Sequence, residues 1–135
     1  MLYLDTAALV KLIRHEPESA RLTEWLNARA GVDFVSSVLS EVELARALRR
    51  TEPGLISAVP ALMQRIARYE IDEVVRATAA AFPEAGLRSI DAIHLATASA
   101  VLVPGLTAFV TYDMRLLEAA EAQGLPTACP GRNRP

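Results

Sequence analysis

The chain has 135 residues, 52% of them apolar, and its 14 basic and 16 acidic side chains leave a net charge of −2. This is the length of one domain that buries a core of its own, and the composition excludes a disordered chain. The single cysteine, Cys129, excludes an internal disulfide framework and a Cys-rich zinc site. Two histidines, His15 and His94, argue against a His-rich metal centre, and a slightly acidic chain cannot hold nucleic acid by a polybasic tail.

Leu2-Tyr3-Leu4 is a short apolar run suited to a strand. A helical pattern follows through Leu12 and falls off at His15-Glu16-Pro17. Ser19 to Ala30 reads as a second helix, with Leu22, Trp25 and Leu26 on one face and Gly31 as a left-handed stop. Val32 to Ser36 is a second strand. Val38 to Arg50 is helical and stops before Pro53-Gly54. Leu55 to Arg68 and Asp72 to Ala85 read as a helical pair, with Pro60 near a helix start or a kink. Ile90 to Val103 is helical and Ala108 to Tyr112 is a strand. Met114 to Gln123 is a helix closed by Gly124, Thr127 to Cys129 a last short strand, and residues 131–135 a frayed tail after a single domain over 1–130.

Short apolar strands alternating with helices predict an α/β fold: a parallel sheet covered on both faces. The uncharged 18 residues from Leu95 to Tyr112 are divided by Pro104-Gly105, so they read as a buried helix, a turn and a buried strand rather than a membrane span. The charge at Asp5 comes too early for the apolar core of a signal peptide, and a cytoplasmic location is expected.

Only five aspartates are present: Asp5, Asp33, Asp72, Asp91 and Asp113. Asp5 and Asp113 each end an apolar strand and precede a helix, where ligands gather in open α/β sheets. Asp91 opens a very apolar helix. Each of the three has a plain alternative as a helix cap, worth about 1 kcal/mol. Glu43 has one too, in a capping box with Ser40 or an ion pair with Arg46 on its own helix. Glu41, two residues away, lies on another face. Taken together, the sheet gathers several carboxylates at one rim. Four carboxylates about 7 Å apart repel by about 2 kcal/mol per pair at an effective dielectric near 20, on the order of 10 kcal/mol over all pairs. Such a cluster calls for a cation, and an all-oxygen donor set suits a hard ion such as Mg²⁺ or Mn²⁺.

Four blocks of the chain resemble PIN-domain ribonucleases, and within them the VapC-type toxins of bacterial toxin–antitoxin pairs. The blocks are Tyr3 to Leu12, Ser36 to Arg50, Asp91 to Ala98, and Thr111 to Leu116 with Ala119-Ala120. They occur in family order and span nearly the whole chain. The resemblance implies a three-layer α/β/α sandwich with Asp5, Glu43, Asp91 and Asp113 as the acidic catalytic and metal-binding cluster. It marks Asp5 and Asp91 as the firmest metal ligands and Thr111 as a hydroxyl that orients a carboxylate. It implies Mg²⁺-dependent hydrolysis of RNA phosphodiester bonds, with Mn²⁺ as a substitute ion, a protein antitoxin as partner, and a homodimer. Arg46 and Arg115 are candidates for the scissile phosphate, and Arg46, Arg49 and Arg50 for an RNA-binding groove. Met114 departs from the family pattern, where a charged residue is frequent.

Other strand-end aspartate enzymes fit less well. A haloacid-dehalogenase-like phosphatase needs a second acid where Ala7 stands, and a phospho-receiver domain needs a late lysine, whereas Lys11 is the only one. The non-enzymatic alternative is a catalytically silent PIN-like binding module. Degenerate members of that kind usually lose acidic residues, and here all four positions are filled.

Overall fold

The structure is a computed structural model describing residues 1–133. Five parallel strands form one sheet in the order β3-β2-β1-β4-β5. They are β1 (Leu2–Leu4), β2 (Phe34–Ser37), β3 (Ala67–Tyr69), β4 (Ala108–Val110) and β5 (Thr127–Ala128). The helices are α1 (Thr6–Ile13), α2 (Ser19–Asn27), α3 (Leu39–Thr51), α4 (Val59–Met63), α5 (Glu73–Ala81), α6 (Ser89–Ala96) and α7 (Met114–Ala122).

The period of two along the strands divides the core into two layers. Leu2 and Leu4 of β1, with Ala108 and Val110 of β4, face one side, where they meet Leu9, Leu22, Leu44 and Leu48 from α1, α2 and α3. Tyr3 and Phe109 face the other side, against Leu95 of α6 and Leu116 of α7. The expected three-layer α/β/α sandwich is thus formed. Because both faces of the sheet are covered, β1 and β4 carry apolar residues at every position rather than alternate ones.

Three local features differ from the sequence reading. Ala67–Tyr69 is an edge strand rather than helix, and it leaves Ala67 and Arg68 exposed. Only Tyr69 packs against the core, and only in part, so the strand has little apolar signature to read. The stretch before it divides into a 3₁₀ turn over Pro53–Ala58 and the short α4, which Pro60 helps to start. α2 ends at Asn27, and Gly31 is not left-handed; Gly124, after α7, is, with φ 75°. At the start of the expected tail, the Arg132 guanidinium donates to the Tyr112 carbonyl at 2.8 Å, and the Tyr112 hydroxyl donates to the Pro130 carbonyl at 2.7 Å. Residues 134 and 135 lie outside the described residues. Past α6 the chain continues as a wider π-type turn over Thr97–Leu102, and no helix among the described residues is long and apolar enough to cross a membrane.

Candidate functional site

The sheet order places β1 between β2 and β4, so the connections from the carboxyl ends of β1 and β4 leave to opposite faces of the sheet, into α1 and α7, and open a crevice there. Leu4 is in register with Val110, and the Asp5 amide donates to the Val110 carbonyl at 3.2 Å. The two expected strand-end segments therefore lie side by side.

Asp5 is 3% exposed and caps α1, its Oδ1 accepting from the Ala8 amide at 2.9 Å. Its Oδ2 accepts a short 2.5 Å bond from the Thr111 hydroxyl. The same hydroxyl oxygen accepts from the Asp113 amide at 3.1 Å. Thr111 thus orients the carboxylate of one strand end while holding the backbone of the next. Burial pushes the Asp5 carboxyl up to about 6, against the opposing effects of His94, Thr111 and the Ala8 amide.

Asp113 caps α7, its Oδ1 accepting from the Arg115 and Leu116 amides at 2.9 and 3.2 Å. The cap reading therefore holds for Asp5 and Asp113. It does not hold for Asp91, which sits inside the first turn of α6; the capping position is Arg88, without a side-chain cap.

Glu43 forms neither the capping box nor the pair with Arg46. Around the start of α3, Ser40 donates to the Ser37 carbonyl and the Ser37 hydroxyl accepts from the Leu39 amide. Glu43 instead leaves its own helix, drawn across the crevice by two donors. Its Oε1 accepts from the Thr6 hydroxyl at 2.8 Å and meets His94 Nε2 at 2.6 Å. Burial would raise this carboxyl, but the His94 and Thr6 bonds outweigh it and hold it below its ordinary value. Glu41 faces elsewhere and pairs with Arg68 at 2.7 Å.

The cation of the site is Arg88. Its Nε lies 3.1 Å from Asp91 Oδ2 and its Nη2 3.7 Å from Asp113 Oδ2, although the side chain is 75% exposed. The hydrogen bond to Asp91, then the charges of Asp91 and Asp113, raise its pKa above the ordinary value. Among the described residues no three His, Cys, Asp or Glu side chains converge as a ready metal cage. The donor set nonetheless fits a hard divalent ion, since it is all carboxylate and two of its members already share one positive charge.

A cleft of about 630 Å³ runs past Thr6, Glu43 and Asp91. Arg46, Arg50 and Arg88 line it with Val42 and Ile90, two apolar side chains left exposed. Of the other arginines proposed for binding, Arg49 does not line this cleft. Arg115 lines a separate hollow with Leu87 and Glu118, and only its backbone amide touches Asp113. The sequence reading missed Thr6, His94 and Arg88. Helical spacing could have found two of them, since Arg88 and His94 lie three residues before and after Asp91.

The PIN domain family matches residues 2–122. The chain belongs to this family, among its VapC-type members. This PIN domain is 55% identical to "Ribonuclease VapC35" of Mycobacterium tuberculosis, over 99% of this chain and 100% of that protein. It is 43% identical to "Ribonuclease VapC47" of the same species, again over 99% of this chain and 100% of the relative. In three dimensions it resembles the solved structure of FitAB bound to an IR36 DNA fragment, with TM-score 0.64 and 18% identity over 100% of this chain and 99% of that one. That likeness concerns the fold.

Proposed function

We propose that this PIN domain is a metal-dependent endoribonuclease acting as the toxin of a toxin–antitoxin pair. The observation that carries the reading is the gathering of Asp5, Asp91 and Asp113 at the carboxyl ends of β1 and β4 and the start of α6, with a guanidinium already drawn between two of them. Full-length relatives named ribonucleases support it. Asp5, Asp91 and Asp113 would hold Mg²⁺ or Mn²⁺, with Glu43 beside them. When bound, the ion would supply an activated water and charge stabilisation at a phosphodiester.

The chain's own residues divide the remaining work. Thr111 fixes the Asp5 carboxylate, and the α7 amides fix Asp113, so that two carboxylates are aimed before any ligand arrives. Glu43, held at one oxygen, is the candidate to accept a proton from the attacking water. Arg46 and Arg50 offer bidentate donors to the RNA backbone along the cleft, and Val42 and Ile90 an apolar surface for unstacked bases. A local basic wall of this kind suits a chain whose net charge is −2. The antitoxin would cover the same cleft, and a homodimer and a cytoplasmic location belong to this reading.

The test is cleavage of total RNA by wild type and Asp5→Asn, each with Mg²⁺ and with EDTA. Discrete cuts that require both the ion and Asp5 are expected. Cuts that persist in Asp5→Asn or in EDTA would overturn the assignment.

A further inference from the structure

A buried pair behind the acidic site has no part in the functions assigned so far. His94 is 2% exposed and Tyr3 wholly buried. The Tyr3 hydroxyl lies 2.7 Å from His94 Nδ1, and His94 Nε2 lies 2.6 Å from Glu43 Oε1. Both rings are held by packing: Tyr3 stacks on Phe109 at 5.0 Å and meets His94 edge-on at 5.9 Å.

For the neutral imidazole, donor accounting places the protons. An ionised carboxylate only accepts, so Nε2 carries the hydrogen that faces Glu43. Nδ1 of the neutral ring is then an acceptor and requires a donor, which the Tyr3 hydroxyl supplies. Thr6 adds a second donor to the same Glu43 oxygen at 2.8 Å. Both donors fall on Oε1, and no protein hydrogen bond reaches Oε2 among the described residues.

We infer that Tyr3 and His94 are positioning residues: the tyrosine hydroxyl sets the histidine tautomer, and the histidine holds Glu43 by Oε1 so that Oε2 is the oxygen presented to substrate. Neither ring touches the cleft. Their effect passes through Glu43 alone, as a buried carboxylate orienter does behind a ligating or catalytic group. The kinetic consequence depends on the nuclease reading above; the tautomer does not.

The decisive variant is Tyr3→Phe, which deletes one hydroxyl and leaves the stacked ring. Long-range ¹H–¹⁵N correlation on the metal-free protein should show His94 as the Nε2–H tautomer in wild type, with its Nδ1 resonance moving to that of an unbonded nitrogen in Tyr3→Phe. On RNA, Tyr3→Phe should lower kcat by about tenfold or more, with KM unchanged. The same substitution in a Glu43→Gln background should cost little further, because the pair has nothing left to orient. His94→Gln, whose amide stands where Nε2 stood, should keep severalfold more activity than His94→Asn at similar Tm. An Nδ1–H tautomer in wild type, or a Tyr3→Phe loss that is equal in both backgrounds, overturns the inference. Absence of RNA cleavage by wild type with the Nε2–H tautomer intact would strike the nuclease reading and leave the positioning of Glu43 standing.

Discussion

Asp5→Asn should make the metal-free protein more stable at neutral pH. The folded state raises the Asp5 carboxyl from 3.8 to about 6, chiefly because it is buried. Between those values the folded protein holds a proton that the unfolded chain has released. The contribution to stability is therefore full below pH 3.8 and is lost as the pH rises through about 6. A gap of about two units corresponds to about 3 kcal/mol at pH 7.5. The amide has no charge to desolvate, and its oxygen still accepts from the Ala8 amide. It forfeits the charge-assisted bond from Thr111, a loss of about 1 kcal/mol. The variant should gain about 2 kcal/mol at pH 7.5, on the order of 7 °C in Tm for a chain of this length. At pH 4 the gain should vanish or turn into a small loss. Urea unfolding followed by circular dichroism in EDTA, from pH 4 to pH 8, measures the difference curve, in which the other titrations cancel. A difference that does not change with pH, or a variant less stable at pH 7.5, would refute the burial argument. Millimolar Mg²⁺ should then stabilise wild type more than Asp5→Asn, reversing their order.

Asp91→Asn should abolish cleavage with less than about 1 kcal/mol of stability change, since Asp91 does not cap α6 and its main protein partner, Arg88, is exposed; cleavage and Tm measured side by side check it. Arg88→Gln removes the cation that bridges Asp91 and Asp113, so the Mg²⁺-induced rise in Tm should begin at several-fold lower metal concentration; an unchanged or weaker metal response would show that Arg88 does not compete with the ion. Lys11, buried with Glu16 and Glu18 at 3.4 and 2.8 Å and lying over the Tyr112 ring, is a tie outside the site. Lys11→Ala should cost about 2 kcal/mol in urea unfolding, because it removes the buried cation that Glu16 and Glu18 share and leaves them only their more exposed partners, Arg14 at 3.3 Å and Arg132 at 3.4 Å, and RNA cleavage at 25 °C should be kept.

The sequence by itself determined the layers, the order of most elements and the place of Asp5 and Asp113 at strand ends. These depend on local signals. Apolar runs such as Leu2-Tyr3-Leu4 and Ala108-Phe109-Val110 have to be strands buried on both faces, and an aspartate after such a run has to stand at the sheet's carboxyl edge. The edge strand Ala67–Tyr69 escaped because it buries too little to leave a pattern. What only the tertiary structure decided is which partner each acid takes. Glu43 had good local options in Ser40 and Arg46, and it takes neither, because Thr6 and His94 converge on it from two other helices. His94 reads as an ordinary core histidine until Tyr3 and Glu43, 91 and 51 residues away along the chain, are brought to its two nitrogens. A side chain's periodicity tells which way it points. Only the packing of separate elements tells what it meets there, because hydrogen-bond partners far apart in the chain leave no spacing to read.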